Sequence, residues 1–239
     1  SHDITDSLSC GVYEQEALAC LERLFATHDE VVAVGGSGLY IQALCEGMDD
    51  LPQADEALRT RLMERLRDEG LEPLAAELRE LDPVYCATAD LYNPARVVRA
   101  LEVCLQTGRP FSEQRLGIRR ERPFRMLKIG VELPREVLYE RINRRVDRML
   151  EEGLVEEARR LYPHRALNAL QTVGYRELFD WFDGRTTYEE AVELIKRNTR
   201  RYAKRQMTWF RRDAEIRWFA PDDDKAIFAC IDRFRAAGE

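Results

Sequence analysis

The run Val31-Val32-Ala33-Val34-Gly35-Gly36-Ser37-Gly38-Leu39-Tyr40 sets the fold class. Its four leading apolar residues, three of them β-branched, predict a short strand buried on both faces, the kind found in parallel sheets. The glycines then make a tight turn, and Leu39, Tyr40, Ala43 and Leu44 continue as a helix. Upstream, Ala17, Leu18, Leu21, Leu24 and Phe25 lie at helical spacing within residues 12–27, a stretch that Asp29-Glu30 ends. Helix, buried strand, glycine turn and helix together describe an α/β layer with a parallel sheet.

After Pro52 the texture changes. Residues 55–81 form a charge-rich helical stretch carrying Leu58, Leu62, Leu66, Leu74, Leu78 and Leu81. A second helix spans 94–107 with Val97, Val98, Leu101, Val103 and Leu105. Asn93-Pro94 supplies its cap and first turn, and Gly108-Arg109-Pro110 its stop. Residues 53–123 carry no strand signal and are expected to be a helical insertion domain. The core is then discontinuous, residues 1–52 with 124–239. Alternation of Leu127, Ile129, Val131 and Leu133 with Lys128, Gly130 and Glu132 predicts a return to the sheet. Helices are expected at 134–151, 153–162, 173–182, 187–211 and 223–237, with a last short strand at 216–219.

The chain has 239 residues, 45% hydrophobic and 34% charged, with mean hydropathy −0.47. No stretch approaches the ~20 uncharged apolar residues of a membrane span. The opening Ser1-His2-Asp3-Ile4-Thr5-Asp6 has no signal-peptide pattern and no initiator Met. A cytoplasmic monomer with no membrane partner is expected. Cys10, Cys20, Cys45, Cys86, Cys104 and Cys230 form no C-x-x-C pair, and His2, His28 and His164 do not cluster with them, so no metal site is expected from them. Cys20, Cys45 and Cys104 fall within apolar helical patterns, as small core residues do.

A net charge of −7 argues against wholesale coating of nucleic acid. The cations are nevertheless concentrated. Eight lie between Lys196 and Arg212 with no acid among them, and six between Arg115 and Lys128 against Glu121 alone. Such stretches present either a local anion-binding surface or solvated faces.

Several segments suit particular chemistry. Gly35-Gly36-Ser37-Gly38, between strand and helix, is either a phosphate cradle or a tight turn capped by Ser37. It is neither a nucleophile elbow nor a dinucleotide fingerprint, and no G-x-x-x-x-G-K-[ST] occurs in these residues. Arg141, Arg145 and Arg148 share a helix face, either as a pyrophosphate clamp or paired with nearby acids. Val173-Gly174-Tyr175-Arg176 and Lys204 to Arg211 mix cations, an amide and aromatics, which suits RNA phosphates and bases as well as a core helix.

In order, Val34 to Tyr40, Asp90 to Val103, Arg141 to Leu150, Thr172 to Arg176 and Lys204 to Arg211 resemble the tRNA dimethylallyltransferase (tRNA isopentenyltransferase) family. The resemblance covers nearly the whole chain. It implies a P-loop-type parallel-sheet core, of which this chain would hold a remnant, with a helical insertion and a helix-rich C-terminal part. It also implies transfer of a dimethylallyl group from dimethylallyl diphosphate to N6 of the adenine 3′-adjacent to the anticodon. The partners would be dimethylallyl diphosphate and a tRNA anticodon stem-loop. Mg²⁺ is the implied cofactor, with ligands expected mainly from outside these residues and from the diphosphate.

By motif, Ser37 stands where the family has Thr beside the reacting centre, and Arg145 at a diphosphate-binding arginine; both are expected to be catalytic. Gly35 and Gly36 join Arg145 at the diphosphate. Arg59, Arg96, Arg99, Gln171, Gly174, Tyr175, Arg176, Lys204, Arg205, Gln206, Thr208, Trp209 and Arg211 match tRNA-contacting positions. Ala95 stands where many members have Gln, and Gln171 where many have Arg. The family's P-loop and general-base Asp are not among these residues. The resemblance therefore implies a chain lacking the family's first part and inactive alone. A non-catalytic helical RNA-binding module is the alternative.

Overall fold

The computed structural model describes residues 2–6, 8–117 and 119–238. The helices are α1 (Cys10–Phe25), α2 (Gly38–Glu46), α3 (Glu56–Glu69), α4 (Leu71–Leu81), α5 (Pro83–Cys86), α6 (Pro94–Thr107) and α7 (Phe111–Gln114), followed by strand β1 (Ile129–Val131). Then come α8 (Arg135–Glu151), α9 (Leu154–Leu161), α10 (Tyr175–Phe182), α11 (Tyr188–Phe210), strand β2 (Arg217–Phe219) and α12 (Asp224–Ala236). The chain divides into two compact units, Ser1–Cys45 with Pro123–Glu239, and Glu46–Arg122. No helix among the described residues is long and apolar enough to cross a membrane.

The Glu46–Arg122 unit is a helical layer built around α6. Asn93 caps that helix by accepting from the Arg96 amide, Pro94 occupies its first turn, and Gly108 ends it at φ +68°. Its Val97, Val98, Ala100, Leu101, Val103 and Cys104 are buried against Leu62 of α3 and Leu74, Ala75 and Leu78 of α4. The stretch 55–81 is two helices rather than one. Gly70, at φ +86°, breaks it with a backbone conformation that other residues avoid. Asp82 is fully buried and ties down two short helices, accepting from the Tyr85 amide at 2.9 Å and from Ser112 N and Oγ at 2.6 and 2.7 Å. Burial pushes the Asp82 carboxyl up, but these donors more than offset it and hold it below its ordinary value.

In the other unit, α8 to α11 bury Val146, Leu154, Ala158, Leu170, Leu178, Phe179 and Ile195 as one cluster. Strands β1 and β2 pair in parallel, Ile129 with Arg217, Gly130 with Trp218 and Val131 with Phe219. A side chain on Gly130 would stand 2.6 Å from the Trp218 ring, so the glycine is what lets that indole lie across the strand.

The strand expected at Val31–Val34 does not form. The segment has no ladder partner among the described residues, and Val32 and Val34 are 85% and 91% exposed. A doubly buried strand needs a ladder partner and a covering layer on each face, and the two described strands pair only with each other. Two strands do not amount to a P-loop-type sheet. What the fold provides is an α/β, helix-rich arrangement with a small parallel sheet. The expected core face of α1 is likewise only partly covered, with Leu24 and Phe25 each more than a third exposed. Cys20 is exposed rather than a core residue, whereas Cys104 and Cys230 are buried.

Candidate active site

The glycine turn is seated on the C-terminal half of α11. Gln206 Nε2 donates to the Gly36 carbonyl at 2.7 Å. A Cβ on Gly36 would lie 2.6 Å from that same nitrogen, and one on Gly38 only 2.3 Å from the Trp209 indole. Both glycines therefore serve close approach between turn and helix. Gly35 and Gly36 are exposed. The Ser37 carbonyl starts α2 by accepting from the Ile41 amide at 3.0 Å. Its half-buried hydroxyl has no partner among the described residues, so the cap is made by backbone.

Around this seat the polar groups of α11 divide. Thr208 Oγ1 is spent on the Lys204 carbonyl of its own helix, and Arg211 pairs with Glu132 at 2.8 Å. The Arg205 guanidinium lies 5.7 Å over the Tyr202 ring. Arg201 and Lys204 are exposed with no side-chain partner among the described residues. Trp209, 39% exposed, presents what Gly38 does not cover.

Helix α8 sorts its arginines in the same way. Arg144 pairs with Glu140 and Arg148 with Glu152 along the helix. Arg141 and Arg145 are exposed, one turn apart, and have no partner among the described residues. Two forked guanidiniums at that spacing suit a diphosphate. The expected shared face of Arg141, Arg145 and Arg148 is thus reduced to the first two. Asn143 accepts from Arg200 at 2.6 Å and Asp147 from Lys196 at 2.6 Å, which fixes α8 against α11.

The segment 171–176 is held from below. Gly174 stands at φ +107° before α10, with its amide donating to Glu177 Oε2 at 2.8 Å. Glu177 is buried, and its other oxygen accepts from Asn198 of α11 at 2.7 Å. The Tyr175 hydroxyl donates to Glu157, and its ring stacks on Phe179. Burial first, and this bond second, push the Tyr175 phenol up to about 12. Gln171 is exposed, its amide donating to the Arg165 carbonyl at 2.6 Å. Arg176 is exposed with no side-chain partner among the described residues.

In the helical unit, Arg59 and Arg99 converge on Glu102 Oε2, at 4.0 and 2.9 Å, and Arg99 also donates to the Pro52 carbonyl at 2.8 Å. Arg96 is exposed on the first turn of α6. At least four of the six cations in the basic stretch 115–128 have acidic or aromatic partners. Arg119 pairs with Glu46 and Arg120 with Asp50. Arg125 stacks on Phe234, and Lys128 sits between Asp213 and Glu215.

Residues 1–213 match the model of the IPP transferase family. A tRNA dimethylallyltransferase of Christiangramia forsetii is 51% identical over 230 residues, which is 96% of this chain and 76% of that protein. The chain belongs to the IPP transferase family. A second tRNA dimethylallyltransferase, of Cytophaga hutchinsonii, is 51% identical over 97% of this chain and 76% of its own length. The crystal structure of a full-length tRNA isopentenylpyrophosphate transferase from Bacillus halodurans, 37% identical, superimposes with a TM-score of 0.64 over 99% of this chain and 75% of that one.

For this IPP transferase family member, the motif residues fall in four places: the glycine turn on α11, the arginine face of α8, the 171–176 segment before α10, and the Arg59–Arg99 pair. Sequence reading missed the residues that hold them. Glu177 follows Gly174 by three, the spacing of a capping box, and Glu102 follows Arg99 by three on one helix face. Those signals were present. Asn198, Asn143 and Glu157 carry no local signal, since their partners come from other helices.

Proposed function

We propose that the protein transfers a dimethylallyl group from dimethylallyl diphosphate to N6 of the adenine 3′-adjacent to the anticodon in tRNA. The observation that carries this reading is the hydrogen bond from Gln206 to Gly36, with Trp209 packed on Gly38, which unites the glycine turn with the basic, aromatic end of α11. In the reaction the allylic C–O bond breaks, its electron pair leaves with the diphosphate, and the N6 lone pair forms the new C–N bond. The N6 proton goes to a base that these residues do not supply. Arg145, with Arg141 beside it, takes up the charge of the departing diphosphate. Gly35 and Gly36 offer backbone to the same anion, and the Ser37 hydroxyl hydrogen-bonds at the reacting centre. Exposed Lys204, Arg176 and Arg96 meet RNA phosphates, and Trp209 offers a face for stacking.

Magnesium commonly takes one or two carboxylates together with substrate phosphates and water, so the diphosphate would supply most of its ligands. Among the described residues no three His, Cys, Asp or Glu side chains converge. The roles assigned to this chain rest on amides, a hydroxyl and guanidiniums.

Fluorescence anisotropy of an anticodon stem-loop tests the RNA half of the proposal. Binding is expected to weaken with salt and to drop about tenfold when the target adenine is replaced. Salt-dependent binding indifferent to that base would favour a shape-reading RNA module instead. These 239 residues alone are expected not to form N6-prenylated adenosine. Finding that nucleoside after incubation with tRNA, dimethylallyl diphosphate and magnesium would overturn that expectation.

A further inference from the structure

Glu102 is a fully buried carboxylate in the middle of an otherwise apolar stretch of α6. Its Oε2 accepts from Arg99 Nη1 at 2.9 Å and lies 4.0 Å from Arg59 Nη2. Its Oε1 is equally buried and has no hydrogen-bond partner among the described residues. That arrangement is poor for stability. Desolvating a carboxylate is repaid only when all its acceptor sites are used, and an apolar side chain of similar volume is often no worse. What the residue does provide is geometry. Arg99 is pinned at two points, Nη1 on Glu102 and Nη2 on the Pro52 carbonyl at 2.8 Å. Two of its five N–H donors are thereby used and the rest stay available. Arg99 remains 28% exposed and Arg59 50% exposed, and the two cations share one anion, so a net positive charge faces solvent.

We infer that Glu102 is a positioning residue, holding the Arg99 and Arg59 guanidiniums in a preset orientation toward backbone phosphates of RNA. The inference rests on the RNA reading of the preceding section and adds the residue that makes two flexible side chains into a fixed site. A pre-oriented fork loses less freedom when a phosphate arrives, so affinity gains without any added contact.

The test is stem-loop anisotropy across a salt series with the whole protein, Glu102→Gln, Glu102→Met, and both changes in an Arg59→Gln/Arg99→Gln background. Removing a negative charge beside an RNA site would, by electrostatics alone, tighten binding. Positioning has the opposite sign. Both single variants are expected to bind about tenfold more weakly, and the slope of log K against log salt to flatten by about 0.9 for one lost phosphate contact. In the double-arginine background the Glu102 changes are expected to add nothing. Thermal melting of both variants is expected to match the parent, which a merely structural role would not allow. Unchanged or tighter binding by either folded variant, or an equal loss in the arginine-free background, overturns the inference and leaves the RNA reading standing. Absence of binding by the parent, or binding indifferent to Arg59 and Arg99, overturns the RNA reading for this unit and the inference with it.

Discussion

Two apolar stretches of similar character meet opposite fates in this molecule. In α6, Val97, Val98, Leu101 and Val103 are at most 2% exposed, whereas Val32 and Val34 are 85% and 91% exposed. The difference lies in where the covering groups come from. Helix α6 is covered by α3, α4 and α7, all within the same stretch of chain. Val31–Val34 needs a strand to pair with and a layer over each face, and none of the described segments beside it provides them. Apolar pattern states what calls for burial, not what is at hand to bury it.

The largest effect is expected where the cover is complete. Leu101→Ala removes a fully buried side chain from a packed helix and should cost about 3 kcal/mol, read from urea unfolding. A loss below about 1 kcal/mol would show that the helical unit collapses around the gap, and would break the contrast.

A smaller effect is expected at the polar pin of the same unit. Asp82→Ala leaves the Tyr85 and Ser112 donors unpaired and should cost about 2 kcal/mol. Because the folded-state carboxyl is held below its ordinary value, its contribution is complete above the unfolded pKa of about 3.9. It fades as pH falls from there through the lowered folded value. The stability gap between parent and variant should therefore shrink below about pH 4. A gap that widens with acid would contradict the assigned hydrogen bonds.

The smallest effect belongs to the uncovered stretch. Val34→Thr, at a side chain that is 91% exposed, should change stability by less than about 0.5 kcal/mol. A cost comparable to that of Leu101→Ala would mean that Val31–Val34 is covered in solution, and the comparison would have to be redrawn.

The same contrast explains what the sequence made legible. Helix α6 could be read to both ends because its signals are local: Asn93, Pro94 and the left-handed Gly108 act on the turns beside them. Gly70 also gave a local signal, but leucine periodicity on both sides masked the break it makes at φ +86°. Pairing of Lys128 with Asp213 and Glu215 depends on residues that lie far along the chain, so cation density alone did not tell which cations of 115–128 are paired. The site was legible as separate motifs. Their union was not, because Gly36 and Gln206 are 170 residues apart. Resemblance supplied the family, while the packing of Trp209 on Gly38 supplied the reason two of those motifs lie at one place.

The bond from Gln206 to Gly36 also settles a direction. In a trans peptide, carbonyl and N–H point to opposite sides of the chain. With the Gly36 oxygen turned toward α11, the Ser37 amide is turned away from it, on the side left open by the exposed glycines. A single glutamine thus gives the turn a polarity: its acceptor faces α11, and its donor points the other way.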